Sequence, residues 1–119
     1  MKNLILNRPF VLLSYHASHG VLVLRSGKSE LHGTRIDVVF QDVCALECRC
    51  NFSKLIVEEV DPSILEGVRS RPAEVIELGH RVYRVQSGDW AGFIVAGSVH
   101  HYEDAGDFFE SGCADYRTD

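Results

Sequence analysis

Residues 35–52 read RIDVVFQDVCALECRCNF, and their spacing decides the fold class. Ile36, Val38 and Phe40 fall on one parity and Asp37, Val39 and Gln41 on the other, which is the period of a half-buried strand. Past Asp42 the alternation continues, with Cys44, Leu46, Cys48, Cys50 and Phe52 set against Val43, Ala45, Glu47, Arg49 and Asn51. The stretch is therefore either two strands or one long strand bent near Asp42.

The same short periods recur on both sides of it. FVLLSYH at 10–16 and VLVLR at 21–25 read as a hairpin around Ala17, Ser18, His19 and Gly20, where Gly20 supplies a positive φ. SGKSELHGT at 26–34 is a loop, and residues 54–60 favour a strand through their branched side chains. Residues 73–78 and 81–85 bracket Gly79 and His80 as a further hairpin. After a turn at Gly88, Asp89 and Trp90, FIVAGSVHHY at 93–102 is the longest apolar strand candidate, with Gly97 marking a bulge or a close backbone approach. Asp61 before Pro62 has the form of a helix start, which predicts one short helix over 62–68, ended by Gly67 and Pro72.

Seven or eight short strands without a sequence repeat or a linker imply a mainly β chain, folded over 1–119 as a single domain. The expected architecture is an antiparallel sheet curled into a small open or partly closed barrel, with a two-sheet sandwich as the alternative.

Charge narrows the partners. Twelve basic and seventeen acidic side chains give a net charge of −5, which lacks the basic balance needed to hold a nucleic-acid backbone. From Glu103 onward the acids are Glu103, Asp104, Asp107, Glu110, Asp115 and Asp119 against Arg117 alone, so residues 106–119 are expected to form an acidic C-terminal tail, partly docked through its aromatic residues. Such a tail is either a solvated face or a docking element for a basic protein partner.

Asn7, Arg8 and Pro9 interrupt the apolar opening after Leu6, too early for a secretory signal, and charged or glycine positions recur too often for a membrane helix. The expected setting is the cytoplasm, with no membrane partner. There, Cys44, Cys48, Cys50 and Cys113 are better read as reduced thiols than as a disulfide framework.

The first three thiols read C-x3-C-x-C, a loose ligand pattern. On a strand, however, Cys48 and Cys50 project in parallel from Cα atoms about 6.6 Å apart, and core packing is the expected role. His100, His101 and Glu103 form the other constellation: His101 and Glu103 share a strand face, and His100 lies with Tyr102 on the opposite one. They are the basis of an alternative reading, a small-molecule- or metal-binding β-barrel with acid–base chemistry. No zinc-protease motif, nucleophile elbow or complete phosphate loop accompanies them, and SGKS at 26–29 lacks the upstream glycine. No catalytic, cofactor-binding or metal residue is therefore assigned, and no cofactor is expected.

Trp90, between two glycines in GDWAGF, is either a lid on the core or an anchor for a partner. The preferred expectation is a non-catalytic protein-interaction module of adaptor or immunity type. It would act through a sheet edge, Trp90 and the tail residues Asp107, Phe108, Phe109 and Glu110, and self-assemble into a homo-oligomer through strand edges.

Overall fold

The computed structural model describes residues 3–65, 76 and 78–109. These residues contain the strands β1 Asn3–Leu6, β2 Phe10–His16, β3 Val21–Ser26, β4 Arg35–Gln41, β5 Ala45–Glu47, β6 Asn51–Phe52, β7 Leu55–Val60, β8 Arg81–Ser87, β9 Trp90–Ala96 and β10 Ser98–Asp104. They form two five-stranded sheets, ordered β1-β7-β8-β9-β5 and β10-β4-β3-β2-β6, with every pairing antiparallel.

The two orders are related. Replacing each strand by the one five places away along the chain turns β10-β4-β3-β2-β6 into β5-β9-β8-β7-β1, which is the other sheet read backwards. The topology thus carries an internal two-fold relation that the residues themselves do not repeat.

Two bent ribbons join the sheets. Gln41 lies opposite Ser98 in the β4–β10 ladder, and Ala45 lies opposite Val95 in the β5–β9 ladder. Residues 42–44 therefore face only 96–97, a one-residue bulge that turns the ribbon from one sheet into the other. At the other corner Leu6 faces Leu55 and Phe10 faces Phe52, so 7–9 oppose 53–54 with the same excess of one.

The first corner is held by short contacts. Asp42 takes a φ of 56°, a left-handed conformation that Asp tolerates better than most side chains. Gly97 N–H donates to the Gln41 carbonyl at 2.8 Å, and Val43 N–H donates to the Gly20 carbonyl at 2.8 Å. A Cβ on Gly97 would lie 3.0 Å from Asp42 Oδ2, which explains the glycine in the middle of the long apolar run.

Both sheets contribute to one core. Leu22, Leu24, Ile36, Val38 and Phe40 meet Leu55, Val57, Tyr83, Val85 and Ile94, and the Phe40 and Tyr83 rings touch edge-on with centroids 5.7 Å apart. β3 and β4 are buried on their second face as well, where Val21, Val23 and Val39 cluster with Leu13 and Tyr102. That double burial accounts for the unbroken apolar run VLVL.

Four expectations need correction. The strands form two antiparallel sheets joined at bulged corners and not one curled sheet, with no closed barrel, so the open-barrel expectation and the two-sheet alternative each fit only in part. FIVAGSVHHY is two strands, β9 and β10, one in each sheet. The helix over 62–68 is a single 3-10 turn, Pro62–Leu65, with residues 66–68 outside the described region. Asp61 does start that turn, its carboxylate accepting from Ser63 N–H at 2.8 Å, and Leu65 is drawn into a cluster with Val82 and Val95. Of the strand expected over 73–78, residues 73–75 and 77 lie outside the described residues, while Ile76 and Leu78 lead into the Gly79 turn instead. The sequence reading also passed over β1, treating the opening as an interrupted apolar stretch.

Gly92 tests how tightly edge strand β5 is seated. A Cβ there would lie 2.0 Å from the Glu47 carbonyl oxygen. Gly92→Ala is expected to destabilise the fold by about 3 kcal/mol, at the upper end for overpacking. Gly33, with nothing within 4 Å of an added Cβ, should instead accept alanine within about 1 kcal/mol, on the stabilising side. Equal denaturation midpoints for the two variants would contradict this seating.

Candidate functional site

Three arginines are buried at the end of the β10-β4-β3-β2-β6 sheet where β3 finishes and β4 begins. Arg25 and Asp37 sit on neighbouring strands and pair through two of the three guanidinium nitrogens, Nε to Oδ1 at 2.6 Å and Nη2 to Oδ2 at 2.9 Å, with each side chain 3% exposed. Arg35 makes the same two-pronged bond to Asp104, at 2.9 and 2.7 Å. The hydrogen bonds that Arg35 donates to Asp104 raise its pKa, against the opposing effect of burial.

Arg8, at the second corner, donates to neutral oxygens: Ser26 Oγ at 2.8 Å, the Gly27 carbonyl at 3.1 Å, Thr34 Oγ1 at 3.3 Å and the Thr34 carbonyl. The Thr34 hydroxyl in turn donates to Glu103 Oε2 at 2.5 Å. Arg8 therefore ties both ends of the 26–34 loop to the corner.

These groups hold the segment that leaves β10. Arg35 donates to the Asp107 carbonyl at 2.6 Å and Arg25 donates to the Phe108 carbonyl. Lys28 donates to the Ala105 carbonyl at 2.9 Å and pairs with the Asp107 carboxylate at 3.1 Å. The Phe108 ring lies beside the Arg25 guanidinium, 5.9 Å from its centroid, and a Cβ on Gly27 would come within 2.9 Å of that ring. Residues 105–109 form a strap across the sheet.

The proposed interaction residues therefore divide. Asp107 and Phe108 are engaged within the chain, Phe109 is 90% exposed with its ring edge-on to Phe108, and Glu110 lies outside the described residues. Trp90 belongs to a different neighbourhood, half-buried against Phe52 with ring centroids 5.0 Å apart and covered by the Arg49 guanidinium at 5.5 Å. There it packs against the common core.

On β10, His101 and Glu103 share a register face with Val38 and Ile36, whereas His100 lies opposite Val39 on the other face. Glu103 is bonded to Thr34. Among the described residues no group of three or more His, Cys, Asp or Glu side chains is arranged to hold a metal ion. Cys44, Cys48 and Cys50 are free thiols; Cys44 and Cys50 are exposed, which corrects the expected core packing for both, and only Cys48 is half-buried. Burial pushes the pKa of Cys44 and Cys48 up, and for Cys48 the neighbouring Cys50 adds to the rise. Cys113 lies outside the described residues.

The sheet edges differ in how they are protected. β5 is three residues long and carries Glu47, and β6 is two residues long. β10 carries Glu103 and Asp104, which are bonded to Thr34 and Arg35. β1 has four residues, all uncharged, and presents Ile5 with 61% of its surface exposed. Charged residues, proline and short length are the usual guards of an edge, and β1 lacks the first two.

No helix among the described residues is long and apolar enough to cross a membrane. The chain matches no family model, and comparison with curated proteins and with solved structures finds no match.

Sequence reasoning missed both the arginine-held strap and the uncharged edge strand β1. The available signal for the first was a charged residue at outward positions of strands that are otherwise apolar, Arg25 in VLVLR and Arg35 with Asp37 in RIDVVF.

Two expectations follow. Phe108→Ala should destabilise the chain by about 1–2 kcal/mol through lost packing and the lost contact with Arg25, while Phe109→Ala stays within about 0.5 kcal/mol; matching effects in urea titrations would deny the strap. With an alkylating reagent at neutral pH, Cys48 should react several-fold more slowly than exposed Cys50, because burial and the raised pKa both reduce its accessible thiolate. Peptide mapping of the partly alkylated protein would reveal a reversed order.

Proposed function

We propose that this chain is a non-catalytic interaction module of adaptor or immunity type, acting in the cytoplasm by adding a strand of another polypeptide to an open sheet edge. The observation that supports the reading is β1, a short edge strand with exposed Ile5 and neither a charged residue nor a proline to guard it. Main-chain hydrogen bonds along such an edge supply affinity, and alternate side chains supply selectivity. The net charge of −5 favours a partner with a basic surface around the docked strand.

Ile5 offers a clean test because it points away from the core. A tagged wild-type chain in cell extract is expected to retain a protein, either a differently tagged copy or another chain. Ile5→Lys should lose it, while Leu31→Lys, at a comparably exposed loop position, should keep it. Retention unaffected by Ile5→Lys would remove β1 from the interaction.

A further inference from the structure

β1 and the residue after it read Asn3-Leu4-Ile5-Leu6-Asn7, the same forwards and backwards. We infer that β1 pairs antiparallel with β1 of a second copy about a two-fold axis through Ile5, joining two five-stranded sheets into one of ten strands. The inference rests on the reading of β1 as an assembly edge and names its occupant.

An antiparallel strand centred on Ile5 places Asn3 opposite Asn7 of the second copy, Leu4 opposite its Leu6, and Ile5 opposite its Ile5. A two-fold axis pairs residue i with j and j with i whatever the sequence; the palindrome adds that each opposed pair is also like with like, with Asn7 the first residue of the corner. Each opposed pair is compatible with itself. Two isoleucines meet as apolar neighbours, and two carboxamides each carry a donor and an acceptor. Within residues 3–7 no like charges are brought together.

The register also extends what β1 already does within its own sheet. Ile5 lies opposite Ile56 on β7, which lies opposite Gln86 on β8, and Gln86 opposite Ala91 on β9. Pairing about Ile5 turns this uncharged row into a continuous one, with four isoleucines, two from each copy, side by side at its centre. On the other face Leu4 and Leu6 pack against the common core but remain only half-buried, and a second strand would cover them too. Asn3, Ile5 and Asn7 are all exposed and available. The remaining edges fit a second copy less well: β5 and β6 offer three and two residues, and β10 leads directly into the strap.

Four or five residues of strand pairing make a small interface, so the equilibrium is expected in the micromolar range. Mass photometry is too dilute for this; light scattering after size exclusion, across low to high micromolar loading of the full chain, reads it directly. The wild type should move from 13.3 kDa towards twice that mass as concentration rises. Ile5→Lys and Ile5→Glu, each bringing like charges together on the axis, should each weaken the dimer by about a hundredfold and run as monomers. Mixed in equal amounts they should recover a dimer, because the lysine of one variant then faces the glutamate of the other. Far-UV circular dichroism and the unfolding midpoint should be unchanged in both variants.

A wild type that stays at 13.3 kDa throughout would overturn the dimer. A dimer that survives Ile5→Lys, or a variant mixture that stays monomeric while the wild type dimerises, would overturn the Ile5-centred register. The edge reading fails separately: a monomeric wild type that still retains another protein from extract, and loses it on Ile5→Lys, keeps β1 as the interaction edge and removes only the second copy.

Discussion

A two-stranded ribbon can leave one sheet and enter another only if the strand on the outside of the bend is longer than the strand on the inside. Here the difference is one residue at each of the two corners, 42–44 against 96–97 and 7–9 against 53–54. One residue of strand is about 3.3 Å of path, enough to turn the direction of the ribbon without breaking the chain. Much follows from this. The bends bring the inner faces of the two sheets together and set Phe40 against Tyr83. They also stop the ladders from running on around the molecule, which leaves sheet ends and, among them, β1.

The arginine cluster solves a different problem. β3 and β4 are buried on both faces, so any charged side chain on them must find its partners inside the protein. Arg25 does so with Asp37, and the spare nitrogens of Arg25 and Arg35 reach the carbonyls of the strap. Losing one member of a buried ion pair generally destabilises by about 3–5 kcal/mol, whereas replacing both by apolar groups is often neutral. The geometry of the pairs thus fixes where the 105–109 segment lies more than it adds to overall stability. Arg8 shows the same economy with neutral oxygens, stitching the 26–34 loop to a corner.

The strand periods in residues 10–60 were legible because alternation directly reports a half-buried face. The bend near Asp42 and the special role of Gly97 could be read too, since a polar residue and a glycine interrupt otherwise continuous apolar patterns. What could not be read was that Asp42 and Gly97 occupy the same corner, because their pairing depends on register between strands more than fifty residues apart in sequence. β1 was missed for a related reason: four residues ended by Asn7, Arg8 and Pro9 look like a broken run until the second corner explains the break. The helix expected after Asp61 rested on a sound local start signal, but a start signal carries no information about length. Of the site residues, Trp90 could be placed at a turn from its glycine neighbours, while the inward engagement of Asp107 and Phe108 depends on arginines 72 and 83 residues away.

The two-fold relation of the strand order also governs how the chain can fold. Residues 3–47 and 51–104 each supply five strands, yet neither half contains its own corner: β1 needs β7, and β4 needs β10. Arg35 meets its ladder partner only when Asp104 arrives. The topology therefore has high contact order, and chains of that kind must close long loops before pairing rewards them, which slows folding. A chain cut between β5 and β6 would give two interlocking fragments, able to complete each other's ribbons but not their own.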